Sequence, residues 1–193
     1  ANAGSTVIEI SSGNLDTIYG GGNAANVTGN VTLTMTGGTV TSYIFGGGNQ
    51  GSVIGATDVT LTNTTAGISV FGGGNGSTAH VNGNTFLKMY GSSTTGNVYG
   101  GGNNGKVFGN STVVLNNSAI GGSAYAGGNG STATVYGNTN ILVGGTTTVG
   151  SSSCTLLSTC SVFGGGNAAY TGDESTNNSV ANVNIAGGTI YGN

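Results

Sequence analysis

The side chains able to do chemistry are few: five acids, two lysines, one histidine and two cysteines among 193 residues. Gly100-Gly101-Gly102-Asn103-Asn104-Gly105-Lys106-Val107 comes near the phosphate-loop pattern Gly-x-x-x-x-Gly-Lys-Ser/Thr. Val107 stands where the magnesium-binding hydroxyl is required, however. The segment after it reads as a strand, not as the helix whose N-terminus would hold a phosphate. The same glycines recur elsewhere without a lysine, so the run reads as structural. Asp173 and Glu174 are adjacent and would face opposite ways along a strand, which is unsuited to paired-carboxylate glycosidase chemistry. Asp16 and Asp58 lie in different parts of the chain and read as isolated, solvated loop residues. His80, the single histidine, has no acid or nucleophile near it in sequence and reads as a surface loop residue. The chain therefore reads as non-enzymatic, with no catalytic residue, no cofactor and no metal site.

Cys154 and Cys160 have no histidine or further cysteine near them, a poor start for a metal site. Either could be a nucleophile, but nothing in the pattern supports it. A local disulfide is the better reading, and it points to an oxidising, extracellular compartment. The start, Ala1-Asn2-Ala3-Gly4, reads as compatible with a mature end left after removal of a leader. Charged residues are only 4% of the chain and arginine is absent. Nucleic acid and anionic membranes both need a basic patch, and none exists. No apolar run reaches the length of a membrane span.

What positions these residues is a repeat. An aromatic before a glycine run recurs at Tyr19, Phe45, Phe71, Tyr99, Tyr125, Phe163 and Tyr191, at spacings of 26, 26, 28, 26, 38 and 28. Most runs end in asparagine: Asn23, Asn49, Asn75, Asn103, Asn129 and Asn167. A Val-x-Gly landmark comes after the run at Val27, Val53, Val81, Val107 and Val135. Alternating apolar positions come next: Val31/Leu33/Met35, Val59/Leu61, Leu87/Met89, Val113/Leu115 and Ile141/Val143, with Ile8/Ile10 and Val183/Ile185 at the two ends. Period-two alternation marks half-buried strands. From the last inward residue to the aromatic is ten residues in four repeats (35 to 45, 61 to 71, 89 to 99, 115 to 125). Longer stretches fall near 145–162, which carries both cysteines, and 168–179.

A unit of this size cannot bury a core alone, but stacked units can. The expectation is an all-β, single-domain β-solenoid over 1–193, of about seven coils with a repeat of about 26 residues, making a rod roughly 34 Å long at the inter-strand spacing. The aromatics would stack in a column. The asparagines would form an amide ladder. The glycine triplets would allow positive φ and close backbone approach. Absence of proline fits strands that must all donate to neighbours.

The pattern resembles a class of secreted or cell-surface bacterial proteins with repeated glycine-glycine-glycine-asparagine units. The matching residues are Ile44-Phe45-Gly46-Gly47-Gly48-Asn49 and Val27-Thr28-Gly29-Asn30-Val31-Thr32-Leu33-Thr34-Met35-Thr36-Gly37-Gly38-Thr39-Val40, and the likeness covers nearly the whole chain. It implies a right-handed β-helix on the cell exterior, adhesin-like, and carries over no catalytic residue.

The expected function is thus a non-catalytic extracellular structural or adhesive module. No amphipathic cap is evident at either end, so head-to-tail association with copies of itself into a filament is a further expectation; an excerpt from a longer repeat protein would look the same. An ice-binding alternative rests on Thr32, Thr34 and Thr36, but the row gives way to Phe86, Lys88 and Tyr90. A carbohydrate-binding alternative, toward host or cell-surface glycans, rests on the two long loops and Tyr170. Asn-x-Ser/Thr sequons at Asn26, Asn30, Asn63, Asn75, Asn110, Asn116, Asn129 and Asn177 are candidate glycosylation sites.

Overall fold

The computed structural model describes residues 4–154, 159–172 and 178–192. Every strand pairs in parallel with its counterpart one repeat away, so the alternating segments stack into sheets rather than into hairpins. The widest sheet has seven strands: Thr6–Ile10, Val31–Met35, Thr57–Thr62, Thr85–Tyr90, Ser111–Asn116, Thr139–Gly144 and Ala181–Ile185. A second sheet stacks seven two-residue strands, from Asn14–Leu15 to Thr189–Ile190, and a third stacks six, from Ile18–Tyr19 to Val162–Phe163. The chain is a β-solenoid of six full turns and part of a seventh. No helix occurs among the described residues, so none is present to cross a membrane.

The alternation of the sequence sets which face is buried. Leu33 lies in register with Val59 and Met35 with Leu61, and all four are fully buried. One slip of register would turn the apolar set outward. The interior divides into three files: a central aliphatic core, a valine file of Val27, Val53, Val81, Val107 and Val135, and an aromatic file. The valine file fills a corner between the glycine run and the next wide strand, where isolated parallel bridges join Val27 to Val53 and onward to Val135 and Thr171.

The glycine triplets work differently from expectation. None of their residues adopts a left-handed φ. They are needed for closeness alone. A Cβ on Gly47 would sit 2.7 Å from the Gly74 nitrogen, and one on Gly73 2.7 Å from the Gly102 nitrogen. The left-handed position is one residue past the ladder asparagine, occupied in successive coils by Ala24, Gln50, Gly76, Asn104, Gly130 and Ala168.

Insertions are confined to the corners. Thr148–Val149 and Val162–Phe163 remain regular strands, so the first long stretch is narrower than 145–162. In the second, Thr171 still bridges Val135; Asp173, Glu174 and Asn177 lie outside the described residues.

Candidate functional site

Six aromatic rings form one file along the third sheet. Tyr19–Phe45, Phe45–Phe71, Phe71–Tyr99, Tyr99–Tyr125 and Tyr125–Phe163 have centroids 5.1, 4.8, 4.7, 4.9 and 4.7 Å apart, with planes within 12°. The spacing is the inter-strand distance, so the backbone register brings the rings face to face. Tyr191 does not belong to this file. Ile190 pairs with Val149, which lies well before Phe163, so Tyr191 precedes the aromatic position of its coil and is 41% exposed. The ten-residue rule from Ile185 already places that position beyond Tyr191; the Tyr-Gly-Asn likeness obscures it.

The asparagine ladder runs beside it. Asn49 Nδ2 donates to Asn23 Oδ1 at 2.9 Å, Asn75 to Asn49 at 3.0 Å, and Asn103 to Asn75, Asn129 to Asn103 and Asn167 to Asn129 at 2.9 Å each. A second asparagine file goes beyond the sequence-based expectation. The asparagines after Val-x-Gly use Oδ1 to accept a backbone N–H from the next coil: Asn30 from Ala56, Asn84 from Asn110, Asn110 from Asn138 and Asn138 from Val180. The recurring Gly-Asn pair is the signal in the sequence that could have marked it.

Most amides of the near-miss phosphate loop are already bonded. Gly100, Gly101 and Asn104 donate their N–H groups to Tyr125, Gly127 and Asn129 of the next coil, and Asn103 donates to Gly74 of the previous one. Lys106 Nζ turns to the Tyr136 hydroxyl at 3.3 Å.

Two titratable groups are more engaged than their sequence neighbours suggest. Asp58 sits on the strand Thr57–Thr62, not in a loop, and both its oxygens accept from Lys88 Nζ at 2.8 Å across one coil. The thirty-residue separation hides this pair in the sequence; the register exposes it. His80 is half-buried, its Nδ1 accepts the Lys106 N–H at 3.3 Å, and its ring meets Phe108 edge-on at 5.8 Å. Burial, and then the Lys106 charge, hold its pKa below the ordinary value. Asp16 stays in an exposed turn, where Ser42 and Thr41 donate to it at 2.6 and 3.1 Å and hold its carboxyl below the usual range. Phe108 and Tyr136 stack at 5.1 Å on the outside of the valine file, and Phe108 is 46% exposed. They occupy the variable position of Val-x-Gly, so no repeat signal marks them.

Cys154 and Cys160 are joined in a disulfide. The loop it closes borders a cleft of about 550 Å³ against the aromatic file, lined in part by Asn97, Ser123, Tyr125, Cys160, Phe163 and Asn167. Burial pushes the Tyr99 phenol up, while Asn97 Nδ2 donates to its oxygen at 2.9 Å. Among the described residues, no cluster of three or more His, Cys, Asp or Glu could hold a metal ion. No family model matches the chain, and neither curated proteins nor solved structures yielded a significant match.

Proposed function

We propose that the chain is a non-catalytic extracellular module, structural or adhesive, whose rigid solenoid presents binding surface along its flanks. The observation that carries this reading is where the polar side chains are spent. The asparagine amides, which in a catalytic β-helix could orient substrate, are bonded coil to coil over six levels. That arrangement stiffens a scaffold. Chemistry that varies from coil to coil is left to the outer face and the corners, as on the binding faces of other repeat proteins. A disulfide-closed surface loop suits an oxidising exterior. The test is retention of purified, fluorescently labelled chain on immobilised cell surfaces and extracellular matrix. Retention well above that of a size- and charge-matched control supports the reading; retention equal to the control rejects it.

A second reading, self-association, is favoured by one observation. Val183 and Ile185 pair with inward-facing Ile141 and Val143 yet are 46% and 52% exposed. That open parallel edge suits β-augmentation by a further coil, from a second copy or from adjoining chain. Sedimentation velocity over a concentration series separates the outcomes: growing species support stacking of copies, and a fixed monomer rejects it.

A further inference from the structure

We propose that the cleft between the aromatic file and the disulfide loop binds a neutral carbohydrate. The proposal deepens the adhesive reading and rests on it only for what the bound sugar accomplishes. At about 550 Å³ the cleft lies within the range of small-molecule sites, roughly 300–1,000 Å³. Its lining combines amides and hydroxyls (Asn97, Asn167, Ser123) with the rings of Tyr125 and Phe163, and holds no charged side chain. An ionic ligand would be desolvated there without a counter-charge. Asn97 and Ser123 accept the Ser123 and Ser161 N–H groups and Asn167 donates to Asn129, so a sugar would meet the Ser123 O–H, the second amide hydrogens and the edges of the stacked rings.

Tyr125 carries the argument. The residue is only 7% exposed and lines the cleft, yet its hydroxyl makes no hydrogen bond within the described residues. One coil below, the Tyr99 hydroxyl is held by Asn97 at 2.9 Å. Packing does not require an oxygen in this file, because Phe45, Phe71 and Phe163 occupy equivalent positions. The ring is nearly buried while its unbonded hydroxyl opens on the cleft, so a ligand seated there would supply the hydroxyl's partner. The insertion that lengthens this coil alone to an aromatic spacing of 38 residues places Cys160 at the rim. The disulfide thus fixes one wall.

The experiment is an array of neutral hexose and N-acetylhexosamine oligosaccharides alongside uronate-containing and sulfated ones. The best neutral ligand is then titrated calorimetrically into the full chain, Tyr125→Phe and Tyr136→Phe. The expected result is selective neutral-glycan binding, weakened about tenfold by Tyr125→Phe with unchanged thermal stability, and unaffected by Tyr136→Phe on the other flank. A blank array, a preference for acidic glycans, or equal binding by Tyr125→Phe overturns the proposal. If the chain adheres to cells but binds no neutral glycan, or Tyr125→Phe binds it equally, the cleft is rejected while the adhesive reading stands. If a neutral glycan binds through Tyr125 but the chain does not adhere, the cleft is supported and the adhesive reading falls.

Discussion

Thr57, Ser111 and Thr139 begin three of the wide-sheet strands with a buried hydroxyl that donates across the coil to the first residue of the glycine run: to Gly72 O at 2.6 Å, Ala126 O at 2.6 Å and Gly164 O at 2.5 Å. Thr85 occupies the same file, but its hydroxyl is buried with no partner. The two threonines should therefore respond oppositely to valine. Thr57→Val leaves the Gly72 carbonyl short of a donor and is expected to destabilise by about 1 kcal/mol, whereas Thr85→Val removes an orphaned polar atom and is expected to stabilise by a similar amount. Valine already stands at this place in the coil of Val31. Urea denaturation of both variants checks the pair; shifts of the same sign would contradict it. His80 supplies the pH dependence at this scale. Its folded pKa lies below the ordinary 6.5 because burial, then Lys106, disfavours the imidazolium. The folded chain refuses a proton that the unfolded chain accepts. Stability is thus full above pH 6.5 and falls as pH drops below it. Denaturation midpoints measured on both sides of that pH should separate for the native chain and separate less for His80→Gln; equal separation would remove His80 as the cause.

At the scale of elements, what matters is that ladders are shared by neighbours. Asn75 takes part in two rungs, donating to Asn49 and accepting from Asn103, while Asn23 takes part in one. Asn75→Ala strands a half-buried group on either side and is expected to cost about 1–3 kcal/mol. Asn23→Ala should cost distinctly less, and equal losses in thermal or chemical denaturation would argue against a continuous ladder. The corner after the ladder gives a change of opposite sign. Ala24 holds a φ of 56°, and Gly76 and Gly130 serve at the same place in other coils. Removing a Cβ from a left-handed residue relieves about 1–2 kcal/mol, less roughly 0.5–1 kcal/mol of added chain entropy. Ala24→Gly is expected to raise the denaturation midpoint, and Gly76→Ala to lower it.

At the scale of the whole molecule, the coil was legible because stacked elements must repeat their side chains at one spacing. Met35, Leu61, Met89 and Leu115 could be aligned by counting alone. The aromatic file followed from the same count, and the count also places Tyr191 out of it where the local motif does not. The rest escaped for a physical reason. Residues that meet across coils without repeating, such as Asp58 with Lys88 or Phe108 with Tyr136, leave no periodic trace and become neighbours only when register is known. The cleft is the extreme case, since its lining joins Cys160 of the one long insertion to Asn97 and Tyr125 of earlier coils. All of these contacts depend on consecutive coils lying one strand apart. The most direct test is a nuclear Overhauser experiment on a sample with labelled aromatic rings. Phe45 and Phe71 rings lie 4.8 Å apart and Phe71 and Tyr99 rings 4.7 Å apart, so both pairs should give strong cross-peaks. Phe45 and Tyr99, two strand spacings or about 9.6 Å apart, should give none. Absence of the first two, or a strong direct peak between Phe45 and Tyr99, would contradict the stacked solenoid.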